Sequence, residues 1–319
     1  MKLAVTIDVE EEGLFSGKYE TRGVSAKNVA ELPRLDSIFR EWNIAPTLLL
    51  THSVACHDLH RDLLLKLKQR WNAEIGAHLH PWSTPPFQAS HHHEPVSSEL
   101  IPRELLDAKL HGLLQSIRQM GITPTSFRMG RFNIGPEMFS LLEGAGILVD
   151  SSVAPMRRYH SGSDRLTAPA DPYFPDPKEP CRPGRSNILE VPVTILPIFP
   201  RLDFLLERLP VPKSWAAWFA MNLGSLSAQP MWTGLGWLKT AARVHRHRGG
   251  QVLTIYFHSS ELMPGGCPQH PAPQDVDRFL ARLRDFLAWM HREMPVESLT
   301  LSQLAASFRK PTPSPQSAN

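Results

Sequence analysis

The fold class that the sequence predicts is α/β, with a parallel sheet or barrel, and three observations predict it. Short apolar, β-branched runs alternate with amphipathic helical stretches from end to end of the 319 residues. No composition break or linker divides the chain. Polar and ionisable residues gather directly after the strand-like runs, which is where α/β folds place their chemistry.

Residues 3–9 are apolar and β-branched with acids directly after them, the pattern of a buried strand. Val29, Leu32, Leu35, Ile38, Phe39 and Trp42 recur at helical spacing within residues 25–42. Pro46 punctuates, residues 47–50 read as a second strand and residues 59–71 as a helix. Residues 74–77 form a short strand running into a His-rich turn, and residues 82–101, with Pro85, Pro86 and three consecutive histidines, read as a loop. Leu105, Leu106, Leu110, Leu113, Leu114 and Ile117 stripe a helix over 103–120 that Gly121 closes. Residues 126–129 begin a fourth strand, Pro136 opens a helix over 136–145, and residues 147–149 form a fifth strand. Residues 155–187 are proline-rich and irregular, 188–193 a sixth strand, 197–250 an insertion with its own helices, and 252–257 a last strand. An amphipathic helix over 276–290 and a strand end with a short helix over 299–308 follow. One domain, 1–308, with the insertion 197–250 and a disordered tail at 309–319, is the expected organisation.

Composition narrows the function. Hydrophobic residues at 42% and charged residues at 20% exclude a disordered polyelectrolyte. Thirty prolines in 319 residues, against roughly 5% in average usage, imply long punctuated loops. A net charge of +3 gives no argument for nucleic acid. Cys56, Cys181 and Cys267 are odd in number and far apart, which fits a reducing compartment better than a disulfide framework. Asp8, Glu10, Glu11 and Glu12 end the first apolar run too early for a signal peptide, so a cytoplasmic location is expected.

The strand ends carry Asp8-Val9-Glu10, His78-Leu79-His80-Pro81-Trp82, Arg128-Met129-Gly130-Arg131, Asp150-Ser151-Ser152 and His258-Ser259-Ser260-Glu261. Residues i and i+2 of an extended segment point the same way. His78 with His80 therefore offers two imidazoles on one side, and Asp8 with Glu10 two carboxylates. Two His plus a carboxylate suit zinc or a similar divalent ion with a coordination position left open. Other groupings are weaker: His57 and His60 read as a solvated helix face, and His91-His92-His93 as an exposed loop. Residues 13–18 have the wrong spacing for a phosphate loop, and neither a dinucleotide fingerprint nor a nucleophile elbow occurs.

In order, Thr6-Ile7-Asp8-Val9-Glu10, Glu74-Ile75-Gly76-Ala77-His78, Phe127-Arg128, Asp150-Ser151-Ser152 and Phe257-His258 resemble the motifs of the NodB-homology polysaccharide deacetylases, carbohydrate esterase family four. His78-Leu79-His80-Pro81-Trp82 with His258-Ser259-Ser260-Glu261-Leu262 is similar to its WalW-like subgroup. The resemblance runs over roughly residues 3–305. It implies a distorted (β/α) barrel of about seven strands and metal-dependent removal of an N- or O-acetyl group from a sugar, free or lipid-linked. It implies zinc first, with cobalt, nickel or manganese as alternatives. Matched residue by residue, Asp8 is the base, His78 and His80 the metal histidines, Arg128 the arginine that orients the base and His258 the acid. Val9 stands where the family has a second, metal-binding Asp, so Glu10 is assigned as the third ligand. One residue, not three, separates the two histidines. Trp82, Arg131, Asp150 and Glu261 are expected to contact substrate. A non-sugar amidohydrolase with the same machinery and a non-catalytic saccharide-binding member of the fold are the alternatives.

The insertion holds an uncharged run of 25 residues, 214–238, with Trp215, Trp218, Trp232 and Trp237. That length spans a bilayer, but Asn222, Gln229, Pro230, three serines and three glycines argue against it. Two readings stay open for this segment. The tryptophans pack on the barrel, or they join Arg201, Arg208, Lys213, Lys239, Arg243, Arg246 and Arg248 in a peripheral contact with the inner membrane.

Overall fold

The computed structural model describes residues 1–16, 19–21, 23–87, 98–157 and 165–309. The histidine triplet 91–93 and residues 310–319 of the expected tail lie outside the described residues. Among the described residues ten strands form: β1 (Lys2–Val9), β2 (Thr47–Leu50), β3 (Glu74–Leu79), β4 (Ser126–Met129), β5 (Val149–Asp150), β6 (Leu189–Glu190), β7 (Ile195–Pro197), β8 (Ser225–Ser227), β9 (Val252–His258) and β10 (Glu297–Ser298). Seven of them curl into one parallel sheet in the order β9-β1-β2-β3-β4-β5-β6. The two-residue β10 pairs with Lys2 and Leu3, at the other end of β1 from β2. Beyond β6 the chain meets β9: Thr194 N–H donates to the Thr254 carbonyl at 3.0 Å and Thr254 N–H to Thr194 Oγ1 at 2.8 Å. The expected barrel of about seven strands is the fold observed, with β7 and β8 an antiparallel pair beside it.

The helices are α1 (Asp36–Glu41), α2 (His52–Ala55), α3 (Asp58–Trp71), α4 (Arg103–Arg118), α5 (Pro136–Gly144), α6 (Leu202–Arg208), α7 (Lys213–Asn222), α8 (Leu235–His247), α9 (Pro273–Glu293) and α10 (Leu301–Phe308). The single helix expected over 25–42 is instead a 3-10 segment, Lys27–Leu35, followed by α1. Pro33 lies inside that segment and supplies no N–H to an α-helical ladder.

Alternation along β1 sorts the barrel into two faces. Leu3, Val5, Ile7 and Val9 point outward and share one core with Leu106, Leu110 and Leu113 of α4, Phe139 of α5 and Phe279, Leu283 and Phe286 of α9. Inward residues differ with depth. Ala4, Leu49, Val149, Leu189 and Val252 pack on Leu301, Leu304 and Ala305 of α10, which plugs the end of the barrel where the strands begin. Thr6, Asp8, His78 and Arg128 occupy the other end and are buried too. Burial on both faces explains the near-continuous apolar character of the strands.

Gly76 shows how tight the interior is. A Cβ at this position of β3 would lie 2.2 Å from Ser126 Oγ, 2.8 Å from Leu49 Cδ2 and 3.0 Å from the Ser126 carbonyl oxygen. Gly76→Ala is therefore expected to destabilise the fold by about 1–3 kcal/mol, the usual cost of overpacking. Urea unfolding monitored by circular dichroism checks this, and a midpoint equal to that of the parent chain would refute it.

Candidate active site

Strand register brings the polar residues together. In the parallel ladders Asp8 lies opposite His258, and His78 opposite Arg128. Asp8 and Glu10 project inward from β1 and the turn after it, His78 and His80 from β3, Arg128 from β4 and His258 from β9. Asp8, Glu10, His78 and His80 are each no more than 3% exposed, and Arg128 is fully buried.

The guanidinium of Arg128 donates through Nη1 to Asp8 Oδ1 at 2.6 Å, through Nε to the Ser151 carbonyl at 2.8 Å, and through Nη2 to Thr6 Oγ1 at 2.9 Å and Ser151 Oγ at 2.7 Å. The Phe132 and Tyr256 rings lie 5.3 and 5.5 Å from its central carbon. Oδ2 of Asp8 lies 3.9 Å from both His78 Nε2 and His258 Nε2.

His78 Nε2, His80 Nε2 and Glu10 Oε2 form a triangle with edges of 2.9, 3.2 and 3.2 Å. His78 Nδ1 is within 3.0 Å of the Arg128 carbonyl and His80 Nδ1 within 2.9 Å of Glu11 Oε1. With Nδ1 of each ring so occupied, Nε2 is the atom that each turns toward the other and toward Glu10. Two ring nitrogens and a carboxylate oxygen at such separations suit a bound cation. The edges are close to the roughly 3.3 Å between ligands about 2.0 Å from a tetrahedral ion. Glu10, His78 and His80 thus fit a divalent metal, and Asp8, Glu10 and His258 form a second, overlapping group.

Electrostatics point the same way. Burial disfavours charge on His80, yet the Glu11 and Glu10 carboxylates raise its pKa to about 10. Burial pushes the Glu11 carboxyl up, but His80 and the Ser83 hydroxyl outweigh it and hold it near 2. Glu10 lies below the usual carboxylate range: burial raises it, while His258, His78 and His80 lower it further. The pocket is rich in anionic oxygen and takes up positive charge.

Glu11 is a site residue that the motifs did not reveal. Its Oε1 accepts from His80 Nδ1 and from Ser83 Oγ, and its Oε2 from Ser53 Oγ at 3.0 Å. Glu10 and Glu11 so address His80 from opposite ring nitrogens. The signal was the acid run after a strand, where neighbours must point in different directions. Asn28 and Ser259 secure the backbone of Glu10.

His258 Nδ1 donates to Glu261 Oε1 at 2.6 Å, and Nε2 faces the mouth. Glu261, expected among the substrate contacts, is only 1% exposed and orients His258 instead. Asp150 also departs from that expectation. It is fully buried, with its carboxyl against Ser152 and Glu190 of the neighbouring strand opposite it in the ladder. Burial raises both acids, Asp150 to about 6 and Glu190 well above its ordinary range, and the Asp150 charge raises Glu190 further. The other two expected contacts do line the rim. Trp82 stacks on His80 with centroids 4.3 Å apart, and exposed Arg131 bonds to the hydroxyl of Tyr19, whose ring meets Trp82 edge-on at 5.1 Å. Tyr19 and Phe15, the latter edge-on to His258 at 5.2 Å, were not foreseen.

No family model matches the sequence, and no curated protein matches it significantly. Solved structures do resemble it. A candidate polysaccharide deacetylase from Mycobacterium smegmatis has a TM-score of 0.56 at 18% identity, over 96% of this chain and 89% of that one. A candidate glycoside hydrolase/deacetylase from Parabacteroides distasonis has a TM-score of 0.64 at 13% identity, over 98% of this chain and 71% of that one. The 4-α-glucanotransferase of Thermococcus litoralis has a TM-score of 0.51 at 14% identity, over 97% of this chain and 40% of that one. At such identities the likeness is one of fold: a curled parallel sheet of the NodB type. A glucanotransferase on a related fold shows that the reaction must be argued from the site.

Replacing Glu11 by Gln removes the carboxylate behind His80. Metal affinity is expected to fall 10–100-fold with the fold intact, as for other carboxylates that support a ligating imidazole. Titration with zinc against a chelating indicator measures this, and an unchanged dissociation constant would remove Glu11 from the site.

Proposed function

We propose that this chain is a divalent-metal-dependent hydrolase that removes an acetyl group from a saccharide, an N-acetyl group in the first instance. The family is the NodB-homology polysaccharide deacetylases, and the His-x-His spacing favours its WalW-like branch. The observation that carries the reading is the convergence of three units at one mouth. They are the Asp8–Arg128 pair, the Glu10–His78–His80 triangle and the His258–Glu261 pair, whose facing atoms lie within 4.0 Å of their neighbours. Zinc suits the two imidazoles and one carboxylate best, with cobalt, nickel or manganese as substitutes.

A bound ion supplies Lewis acidity toward a carbonyl oxygen and brings the pKa of water down to about 7. Asp8 is placed to accept the proton of attacking water through Oδ2, while Arg128 fixes the carboxylate through Oδ1. His258 stands on the other side of the same oxygen and delivers a proton to the leaving nitrogen. Burial opposes charge on His258, but the carboxylates of Glu10, Glu261 and Asp8 around it raise its pKa to about 9. Carboxylates about an imidazole favour its protonated form, the form that a general acid uses. Glu261 holds Nδ1, which leaves Nε2 as the donating atom. Trp82 and Tyr19 offer aromatic faces for a sugar ring, and Arg131 offers hydrogen bonds to its hydroxyls.

Acetate release from a panel of N- and O-acetylated saccharides, with and without chelator, tests the proposal. Chelator-sensitive release supports it, whereas no release, or release indifferent to chelator, overturns it. Asp8→Asn is expected to keep bound metal and lose about 10²–10⁴-fold in turnover, the range for a missing general base. Metal analysis beside steady-state rates checks this, and near-normal turnover would place the base elsewhere. His258→Ala is expected to slow N-acetyl substrates far more than an activated aryl acetate, whose phenolate leaves unprotonated. Equal losses on the two substrates would deny His258 the acid role.

A further inference from the structure

Of the thirteen large apolar side chains exposed among the described residues, ten lie between Phe199 and Trp237. They cluster on α6 and α7. Phe204 and Leu205 stand out from α6, Trp215, Trp218 and Met221 from α7, and Leu223 just beyond it, each between 45 and 59% exposed. The reading in which Trp215, Trp218 and Trp237 pack on the barrel is thereby corrected, Trp237 being 60% exposed. The opposite side of the two helices is well seated: Leu206, Ala216 and Ala220 share a core with Met156, Val193 and Ile195. The outward face is therefore apolar on helices whose inner side is already satisfied.

Its charge is one-sided. Residues 197–250 hold seven Lys and Arg against two acids, whereas the rest of the chain holds 27 against 29. Arg201, Arg208 and Lys213 are exposed among the apolar residues of α6 and α7, and one of the two acids, Asp203, is buried. Among the described residues no helix is long and apolar enough to cross a membrane, and the uncharged run 214–238 is divided between α7, β8 and the start of α8. Apolar side chains interleaved with cations on short helices match the boundary between anionic headgroups and acyl chains.

We propose that the α6–α7 face docks on an anionic lipid bilayer, with Trp215, Trp218 and Phe204 entering the headgroup layer and Arg201, Arg208 and Lys213 meeting lipid phosphates. A cleft of about 790 Å³ leads from this face toward the active site. Met221, Leu223, Trp232 and Trp237 line it together with Tyr256, whose ring meets His258 edge-on at 5.6 Å. On the hydrolase reading above, the substrate class is then a saccharide carried on a lipid. That extension rests on the hydrolase reading, and the docking does not.

Sedimentation of the full chain with vesicles tests the docking without any substrate. The vesicles are phosphatidylcholine alone, or phosphatidylcholine with one-third phosphatidylglycerol. Binding is expected to the anionic vesicles and at least tenfold weaker to the neutral ones. Trp215→Ser with Trp218→Ser is expected to lower binding at least tenfold. Arg201→Ser with Arg208→Ser is expected to do the same, at roughly fivefold per charge lost. Thermal melts identify any variant that fails to fold, and the arginine pair lies outside both the core and the active site. Absence of binding, or binding unmoved by either folded pair of substitutions, overturns the proposal. So does a dimer in sedimentation equilibrium that Trp215→Ser with Trp218→Ser dissolves, since the face would then belong to a second copy. Binding without acetate release keeps the docking and rejects the hydrolase.

Discussion

Arg128 reaches Asp8 across the inside of the barrel rather than along the sheet. Two strands, β2 and β3, separate β4 from β1, so the 2.6 Å bond exists only because the sheet is curled. The guanidinium is fully buried, and Thr6, Asp8 and Ser151 take four hydrogen bonds from it. A buried pair of this kind adds little net stability, because desolvation offsets the attraction, yet removing one partner strands the other at a cost of about 3–5 kcal/mol. Its effect is on geometry. Oδ1 of Asp8 is committed to Arg128, so Oδ2 is the oxygen that faces the two histidines. The Arg128 carbonyl, in turn, fixes the ring of His78. One residue thus orients both Asp8 and His78, the base and a metal ligand of the proposed reaction.

The same interior explains why chemistry sits at one end only. Alternation sends every second side chain of β1 inward, and along that line the residues run Ala4, Thr6, Asp8 and then Glu10. At the Ala4 level α10 fills the lumen with Leu301, Leu304 and Ala305, leaving no room for water or substrate. At the Asp8 level the apolar plug has ended and side chains from four strands converge. Gly130 permits the closest approach at the rim: a Cβ there would stand 2.6 Å from His80 Cδ2 and 2.8 Å from the Leu79 carbonyl oxygen. The loop after β4 is therefore pressed against the imidazole that Glu11 holds from the other side.

Much of this was legible in the sequence, for identifiable reasons. An α/β parallel sheet or barrel followed from alternating periodicities and its count of about seven strands from the family resemblance, while Asp8, Glu10, His78, His80, Arg128 and His258 stand at or just past strand ends. The readings that departed from the structure concern side chains whose partners are remote in sequence. Asp150 looked like another strand-end acid, but its neighbour across the ladder is Glu190, forty residues on, and its carboxyl is fully buried against Ser152. Glu261 differs from a substrate contact only through the 3-10 turn Ser259–Leu262, which folds it back on His258. Glu11 was hidden because its partners are remote in sequence, Ser53 in α2 and His80 and Ser83 in the segment after β3. The exposure of the insertion's tryptophans could not be read locally either, since composition is the same whether a Trp covers the barrel or faces outward.

The spacing of the two histidines carries the last step. A pair separated by three residues shares a face of a helix, whereas a pair separated by one shares a face of an extended strand. His78 lies in β3, which ends at Leu79, and His80 follows directly, so near-extended geometry brings the two Nε2 atoms to 2.9 Å. The departure from the spacing of the related family is thus a change of scaffold, with two imidazoles still converging. It has a structural consequence for the third donor. Val9 points outward into the apolar core, so an acid at that position could not reach the imidazoles, and the next inward position, Glu10, can. Past the end of β1 the chain turns, and Glu11 reaches His80 from its other ring nitrogen. Strand alternation thus aims Asp8 and Glu10 inward, and the turn that ends it adds Glu11: on the proposed reaction, one carboxylate for the proton, one for the ion and one to hold His80.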